Sequence, residues 1–257
     1  MKQIHLGGTA RSPDQVRSLF HLGLQFAELP ITNLEEFQDR VTTYRDLREE
    51  LGLYYLCHGP REGDPNDPVS LSRRYLPKLN TILGIMSKME MTLLTIHLWL
   101  DRRFVKEEMI DFKIGLLDEI TRRAGEEGIT VCHENLSERA SDLEAPLHEI
   151  PLLRLTLDLG HGQLLSEVNT SYGFMESYPD RIRHIHIHDN RGGQSPLDDL
   201  HLPPGEGVIE FEPILAKLTE IGHAETMTLE LKPHEIALCL ERVRKMLGPI
   251  VKTGVLE

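Results

Sequence analysis

Carboxylate and imidazole side chains stand at the ends of four apolar segments of this 257-residue chain. Glu134 ends one segment, Asp158 and His161 follow the next, His186 lies in a third and Glu230 ends a fourth. Carboxylate oxygens and imidazole nitrogens suit Zn²⁺, Mn²⁺, Co²⁺ or Mg²⁺, and histidine favours the transition metals. The four segments share one site only if they run side by side as parallel strands. The sequence therefore predicts a divalent-metal site, and with it an enzyme.

Alternation along the histidine-rich segment indicates which side chains face this site. His184, His186 and His188 alternate with Ile185 and Ile187, so the histidines share one face of a strand. In a closed barrel we expect the histidines to point inward and the isoleucines to face the surrounding helices. The same alternation puts each terminal acid or imidazole above a small or polar residue, which leaves room for an ion.

Eight apolar or alternating segments recur along the chain and are predicted strands: 4–8, 26–31, 53–57, 93–98, 129–133, 153–157, 182–188 and 226–231. Between them, apolar residues spaced by three and four predict helices. Ser12 and Pro13 open the first helix, Asn33 and Gly52 bound the second, and Pro233 opens the last. This alternation implies a parallel sheet. Eight units in about 250 residues favour a closed (β/α)8 TIM barrel, with its metal site at the carboxyl-terminal mouth of the strands.

Two parts of the chain fit that pattern poorly. Residues 160–180 lack a clear apolar stripe, and Pro77 interrupts the helical spacing of 71–89. Residues 61–68 and 189–207 are predicted to be long loops. Both follow predicted strands, on the face where such barrels carry their chemistry.

Composition narrows the class of protein. A single domain over 1–257 suffices for a barrel of this length. Three cysteines are too few for a disulfide framework, so we expect reduced thiols. No apolar run of about 18 residues and no leader are evident, so we expect a cytoplasmic protein without a membrane span. A net charge of −13 argues against nucleic acid as a partner, and the acidic exterior is compatible with a monomer or a homo-oligomer.

The motifs CHENL, LDLGHG, HIHIHDN, DDLHLPPGEG and LELKP resemble, in order and over nearly the whole chain, the xylose-isomerase-like barrel superfamily. That superfamily contains sugar and sugar-phosphate isomerases and epimerases, and also the endonuclease IV type of abasic-site nuclease in AP endonuclease family 2. The resemblance implies that the core metal ligands are Glu134, Asp158, His186 and Glu230. It also implies that the two glutamates are the catalytic acid and base, which move a proton between adjacent sugar carbons.

Five further residues are similar to the nine-ligand, three-metal pattern of the nuclease branch. By that resemblance one ion would be held by His58, His97 and Glu134, a second by Glu134, Asp158, His186 and Glu230, and a third by His161, Asp199 and His201. The number of ions, from one to three, and the choice between zinc and manganese stay open. Relatives described as sugar isomerases keep the same D-x-H before the PPGEG turn, so its presence does not decide the branch.

Two chemistries and one non-catalytic role fit these residues. A sugar isomerase or epimerase would hold an enediolate between Glu134 and Glu230, with one carboxylate on each face of the substrate. A phosphodiesterase would use clustered ions to activate water, for which ions about 3.5–4 Å apart suffice. A sugar-binding or metal-binding barrel without turnover would be expected to show a broken ligand set, whereas this core set is intact.

The loops favour a small carbohydrate over DNA. Their arginines are interspersed with acids, which indicates a solvated rim, and aromatic residues make up only 5% of the chain. We therefore prefer a sugar or sugar phosphate as substrate. Arg191, with its fork of donors, is the predicted contact for a hydroxyl, carboxylate or phosphate group. His188 and Trp99 are the other predicted substrate contacts.

Overall fold

The computed structural model describes residues 4–222 and 224–248, which form a closed barrel of eight parallel strands in sequential order. The strands are β1 His5–Thr9, β2 Phe26–Pro30, β3 Tyr54–His58, β4 Leu93–Ile96, β5 Thr130–Glu134, β6 Arg154–Asp158, β7 Ile182–Ile187 and β8 Thr226–Leu229. The barrel closes where β8 pairs with β1. Every strand lies within a predicted segment or extends one residue past it. The predicted (β/α)8 TIM barrel is confirmed.

Helices follow the strands around the barrel. They are α1 Pro13–His21, α2 Leu34–Leu51, α3 Pro68–Ser70, α4 Leu76–Lys88, α5 Glu107–Glu126, α6 Glu144–Glu149, α7 Ser171–Ser177, α8 Phe211–Ile221 and α9 Pro233–Leu247. The predicted caps are confirmed for the first two. The Ser12 side chain accepts a hydrogen bond from Gln15 N, and the Asn33 side chain accepts one from Glu36 N. Gly52 ends α2 with a φ of 67°, which glycine adopts without strain.

The two poorly fitting parts have physical explanations. The helix is not broken at Pro77, because a π-helical turn at Leu71–Tyr75 joins α3 to α4 and proline then falls in the first turn of α4. Residues 160–180 hold a 3₁₀ turn at His161–Gln163, the short α7 and the start of a second 3₁₀ turn at Pro179–Arg181. A helix that short needs no long apolar stripe, which is why the periodicity there was weak.

Two apolar clusters fill the inside and the outside of the barrel wall. The outer cluster, between strands and helices, includes Ile185 and Ile187, as the alternation on β7 predicted. The inner cluster is small and consists of Phe26, Leu56, Leu93 and Cys132, with Tyr54 packed against it. Phe26 and Leu93 begin their strands, and Leu56 and Cys132 lie in the middle of theirs, all below the carboxyl-terminal ends, so these residues form an apolar floor for the barrel.

Above that floor the barrel interior is polar. Two positions beyond Phe26, Leu56 and Cys132 on the same strands stand Glu28, His58 and Glu134. Side chains two apart on a strand share a face, so these polar groups occupy the next inward layer, nearer the carboxyl-terminal mouth. The backbone register of β6 and β7 aligns Asp158 with His186, and the register of β7 and β8 aligns His186 with Thr228, in that layer. The fold therefore places acids and imidazoles from many strands at one end.

Two sequence predictions concern the chain outside the site. Cys57, Cys132 and Cys239 are buried and form no disulfide, as expected for reduced thiols. Among the helices of the described residues, none is both long enough and apolar enough to cross a membrane.

Candidate metal centre

The four predicted core ligands converge at the carboxyl ends of β5 to β8. Glu134 ends β5, Asp158 ends β6, His186 lies in β7 and Glu230 directly follows β8. His186 Nδ1 lies 3.1 Å from Glu134 Oε1, 3.3 Å from Glu230 Oε1 and 3.7 Å from Asp158 Oδ2. Two ligands that each stand about 2.1 Å from one ion are roughly 3.0–3.5 Å apart, so these separations suit a shared cation. We call these four residues the core group.

Two histidines lie beside the core group on the β3 and β4 side. His97 Nε2 lies 2.7 Å from Glu134 Oε2, and His58 Nε2 lies 3.3 Å from the same oxygen. His58 Nε2 is also 3.8 Å from Glu230 Oε1. The two imidazole rings meet edge to face, with centroids 4.8 Å apart. Glu134 thus directs one carboxylate oxygen to His186 and the other to His58 and His97.

A second group of four residues adjoins the core on its other side: His161, His188, Asp199 and His201, whose candidate ligand atoms all lie within 4.8 Å of one another. Asp199 Oδ2 is 3.4 Å from His161 Nε2 and 3.2 Å from His201 Nε2. His188 Nε2 is 3.2 Å from Asp158 Oδ1, which connects the second group to the core. Three of these residues were predicted from the resemblance, and His188 is an addition.

His188, a predicted substrate contact, is packed tightly among other side chains of the second group. The side chain is fully buried, and its ring stacks on the ring of His201 with centroids 3.9 Å apart. Gly160 passes so close that a Cβ there would overlap the His188 ring, so glycine is needed for this approach. Substrate contact by His188 stays a prediction, and the geometry makes it equally a candidate ligand.

Several polar atoms in both groups are buried without a hydrogen bond. They are Asp158 Oδ2, both ring nitrogens of His188 and Asp199 Oδ1. A buried polar atom without a partner costs about 1–3 kcal/mol, and more when it carries charge. These atoms are oxygens and imidazole nitrogens directed at neighbouring ligand candidates, so bound divalent cations would satisfy them. The residues present therefore fit the metal that the sequence predicts.

The core group combines carboxylates and imidazoles of opposite charge. Burial raises the pKa of Glu134, but the His97 and His186 imidazoles outweigh burial and hold that pKa well below its ordinary value. Burial lowers the pKa of His186, but Glu230, Glu28 and Glu134 raise it well above its ordinary value. Without a cation, protons on the imidazoles offset the carboxylate charge. A cation would take over that role.

The second group shows the same balance. Burial lowers the pKa of His201, but the hydrogen bond to Asp199 and the charge of Glu230 raise it to about 9. Burial lowers the pKa of His161, but Asp158 and Asp199 raise it well above its ordinary value. Burial raises the pKa of Asp199, and the two imidazoles reverse this and lower it. This group is also built to bind positive charge.

Two residues that the sequence interpretation missed hold the ligands in place. The side chain of Asn135 accepts from Asp158 N at 2.8 Å and donates to Asp158 O at 3.0 Å, which fixes the end of β6 against β5. Asp189 is fully buried and accepts from the backbone N–H groups of Gly205, Gly207 and Ile209. Asp189 therefore closes the loop that carries Asp199 and His201. The sequence signal for Asn135 and Asp189 is that each directly follows a predicted site residue, Glu134 or His188.

Glu28, which the sequence predicts to line the mouth or interior of the barrel without a catalytic role, lies deeper in the barrel than the core group. Its side chain is only 1% exposed and lies within hydrogen-bonding distance of His184 and His186. Burial raises the pKa of Glu28, but these two imidazoles lower it well below its ordinary value. The sequence could not predict these contacts, because they depend on how β2 and β7 face each other inside the barrel.

The other two predicted substrate contacts lie outside the ligand groups. Trp99 is half-buried, donates from Nε1 to Ser137 Oγ at 2.8 Å and stacks on Phe104. The Glu62 carboxylate accepts from Trp99 N, so the indole is held firmly in the loop after β4. Arg191 is exposed in the loop after β7 and makes no ion pair with any described residue. Substrate contact by both residues stays a prediction.

Comparison with solved structures shows the same barrel. A D-tagatose 3-epimerase-like protein superposes with a TM-score of 0.82 at 20% identity, covering 96% of this chain and 98% of its own. A D-allulose 3-epimerase from Methylomonas sp. gives 0.77 at 16% identity, covering 96% and 99%. The IolI protein, solved with a bound zinc atom, gives 0.78 at 12% identity, covering 95% and 98%. At these identities the likeness shows the fold.

Two uncharacterized proteins of Methanocaldococcus jannaschii are similar in sequence. One is 29% identical over 164 residues, 58% of this chain, and the match spans about half (53%) of that relative's length. The other is 26% identical over 215 residues, 79% of this chain and 81% of the relative. A model of the xylose isomerase-like TIM barrel family matches residues 16–246. That match spans most of the chain, which therefore belongs to the xylose isomerase-like TIM barrel family.

Proposed function

We propose that this protein is a divalent-metal-dependent sugar or sugar-phosphate isomerase or epimerase. The observation that carries the proposal is the convergence of Glu134 and Glu230, from β5 and β8, on the same nitrogen of His186. Two carboxylates that reach one point from different strands can stand on either side of a small substrate. That arrangement suits removal of a proton from a sugar carbon on one face and its return on the other.

The core group would hold the ion, with His186 Nδ1 and the carboxylates of Glu134, Asp158 and Glu230 as ligands. When bound, a divalent cation supplies Lewis-acid stabilisation of negative charge on neighbouring sugar oxygens, with Zn²⁺ and Mn²⁺ the metals that this ligand set favours. His161 and His201, on the mouth side, are 10% and 38% exposed at their side chains and can hydrogen-bond sugar hydroxyl groups.

The two glutamates differ in accessibility. The side chain of Glu134 is 1% exposed, and both of its oxygens lie close to imidazoles. The side chain of Glu230 is 11% exposed, and its nearest imidazole nitrogen is 3.3 Å away. Glu230 is therefore the better placed to take the proton from substrate. Glu134, within 3.4 Å of four histidines, is the carboxylate on the opposite face.

The comparisons support this substrate class without defining the sugar. Solved structures of the same fold are described by their names as a D-tagatose 3-epimerase-like protein and D-allulose 3-epimerases. A family resemblance to ketose epimerases agrees with the paired carboxylates. We propose a ketose, free or phosphorylated, as the substrate, with Arg191 as the candidate contact for a phosphate group.

A second candidate function is a phosphodiesterase of the endonuclease IV type. The observation that favours it is that further candidate ligands flank the core group on both sides. His58 and His97 adjoin it through Glu134, and the second group adjoins it through Asp158. Such clusters can hold additional ions that activate water. The net charge of −13 opposes the binding of nucleic acid, so we rank this function second.

The test of the proposed function is proton exchange with solvent. The purified protein, loaded with Mn²⁺ or Zn²⁺, is incubated in D₂O with a panel of ketoses and ketose phosphates, and deuterium incorporation at carbon is followed by NMR. Metal content per chain is measured in parallel, and abasic-site DNA cleavage is the assay for the second candidate. Exchange with at least one sugar is the expected result. Cleavage of abasic DNA with no sugar exchange would reverse the ranking.

Glu134→Gln and Glu230→Gln test the assigned roles separately. We expect each to reduce exchange by at least a factor of about 10², the lower range for loss of a general acid or base. The fold should be retained, because glutamine keeps the size of the side chain. Glu241→Gln, at an exposed position of α9, is the matched control. Wild-type exchange rates in either core variant, at wild-type thermal stability, would reject the assignment.

A further inference from the structure

A buried carboxylate lies directly beneath the core group. Glu28 Oε1 and Oε2 each lie 3.1 Å from His186 Nε2, and Oε2 lies 3.0 Å from His184 Nε2. The Thr228 hydroxyl also donates to Glu28 Oε2. His184 Nδ1 in turn contacts Thr226 Oγ1 at 2.6 Å. These contacts join β2, β7 and β8 inside the barrel.

The two nitrogens of His186 face opposite ways. Nε2 faces Glu28, whereas Nδ1 faces Glu134, Glu230 and Asp158. A carboxylate can only accept, so Nε2 must carry the proton of the Nε2–H···Glu28 hydrogen bond. A neutral imidazole with its proton on Nε2 presents the Nδ1 lone pair to the core group. Such an outer partner fixes the orientation and the tautomer of a metal-binding histidine.

A separate small metal site could in principle be formed by Glu28, His184 and His186, whose candidate ligand atoms lie close together. Their hydrogen bonds argue against that interpretation. Both oxygens of Glu28 and both ring nitrogens of His184 already have partners. Within the two ligand groups of the layer above, by contrast, Asp158, His188 and Asp199 have buried atoms without a hydrogen bond. The deeper group is therefore a closed hydrogen-bond network, which supports the layer above it.

We propose that Glu28 is a positioning residue of the metal centre, which holds His186 in the orientation and tautomer that direct Nδ1 at the ion. This inference rests on the metal centre of the proposed function and adds a residue to it. Glu28 itself touches neither substrate nor ion. Replacement of Glu28 should therefore change the metal affinity and the coordination geometry around the bound ion, and should change turnover only as a consequence.

The experiment measures metal binding, independently of any sugar. Metal-free wild type, Glu28→Gln, Thr228→Val and Thr95→Val are titrated with Mn²⁺ by calorimetry, and the EPR spectrum of bound Mn²⁺ and the thermal unfolding of each metal-free form are recorded. Glutamine keeps the volume but offers one acceptor oxygen in place of two, so it cannot serve both imidazoles and Thr228. Thr95→Val is the matched control, because the Thr95 hydroxyl hydrogen-bonds Thr156 inside the same barrel and is not part of the network of Glu28, His184, His186 and Thr228.

We expect Glu28→Gln to weaken Mn²⁺ binding by about 10–100-fold and to change the EPR spectrum, with Thr228→Val showing a smaller loss and Thr95→Val none. Wild-type affinity and spectrum in folded Glu28→Gln would overturn the inference and leave the proposed function intact. If Glu28→Gln does not fold, wild-type affinity and spectrum in Thr228→Val overturn it. An equal loss in Thr95→Val would do the same. A wild-type protein that binds no Mn²⁺ or Zn²⁺ would overturn the proposed function as well.

Discussion

Glu134 occupies a special place among the acids of the site. Its Oε1 faces His186 and His161, and its Oε2 faces His97 and His58. The two oxygens of this one carboxylate therefore serve the two sides of the centre. Buried carboxylates this close together are stable only when positive charge lies among them. The His161 and His186 imidazoles, whose pKa values the neighbouring carboxylates raise, can carry that charge in the metal-free protein, and in the proposed metal-bound form a cation would carry it.

This exchange of protons for metal predicts a pH dependence. The folded pKa of about 9 for His201 exceeds its ordinary 6.5, so the stabilisation from its protonated form is complete below pH 6.5 and lost as pH rises through 9. Metal binding requires the deprotonated imidazole, so it must expel that proton. We expect Mn²⁺ affinity to be higher at pH 9 than at pH 6.5, while the stability of the metal-free protein falls over the same interval.

Calorimetric titrations at both pH values, in two buffers of different ionisation enthalpy, measure affinity and proton release together. His201→Asn removes one of the titrating groups and should release fewer protons. Binding of equal strength at both pH values, without proton release, would show that these imidazoles are not ligands.

Strand parity predicted the inward placement of Glu134, Asp158 and His186, and the structure brings these three side chains together. Their role as metal ligands stays a prediction. Parity could not predict contacts that depend on which strands face one another across the barrel. The location of Glu28 beneath His186 depends on β2 facing β7 across the barrel, and parity along one strand carries no such information. His188 had the right parity, but only packing shows that its ring is buried against His201.

Among the connecting elements, the loop between β7 and α8 is the one that completes the site. Asp189 accepts from Gly205 N and Gly207 N at 2.9 Å and from Ile209 N at 3.2 Å, and it also pairs with Leu202 through an antiparallel bridge. Gly207 approaches so closely that a Cβ would overlap the Asp189 carboxylate. The loop is therefore a folded unit built around one carboxylate.

Asp189→Ala should detach this loop. Four backbone N–H groups, those of Asn190, Gly205, Gly207 and Ile209, lose their acceptor. Each loss costs about 1–3 kcal/mol where the group stays buried, so we expect the free energy of unfolding to fall by about 4 kcal/mol or more. Asp199 and His201 should lose their positions, and metal content should decrease at the second group while the core ion remains. Chemical denaturation and metal analysis measure the two effects.

Asp198→Ala is the control for that loop, because Asp198 only accepts from Gln194 N and Ser195 N near its tip. Its cost should be that of a lost cap, about 1 kcal/mol, with metal content unchanged. Equal losses in both variants would show that Asp189 has no special part in holding the second group.

The helices and strands were predictable because their signals are local. Ser12, Asn33 and Gly52 set helix ends through contacts within a few residues. The continuity of the helix past Pro77 was not predictable, because it depends on a π-helical turn that no local pattern announces. The helical pattern of residues 160–180 is weak for a different reason, because that connection contains little helix.

The charge of the whole molecule implies that a cation bound at the proposed site would also stabilise the fold. The chain carries a net charge of −13, and the mouth of the barrel gathers several of its acids. Removal of a bound cation leaves those acids opposed only by protons and returns the buried atoms of Asp158, His188 and Asp199 to their unpartnered state.

Chelation should therefore destabilise the protein. Metal at about 100 times its dissociation constant contributes about 2.7 kcal/mol to the free energy of unfolding, so EDTA should lower the unfolding temperature and added Mn²⁺ or Zn²⁺ should restore it. Thermal unfolding with and without metal makes the measurement. Asp158→Asn, which alters a core ligand, should respond less. Identical unfolding temperatures with and without metal would contradict the proposal that the site binds a cation.

The apolar floor made by Phe26, Leu56, Leu93 and Cys132 lies beneath the candidate metal centre. We therefore expect a bound molecule to enter and to leave on the side of the carboxyl ends of the strands. Product release and substrate entry would then share one route, so a product that lingers there would exclude the next substrate.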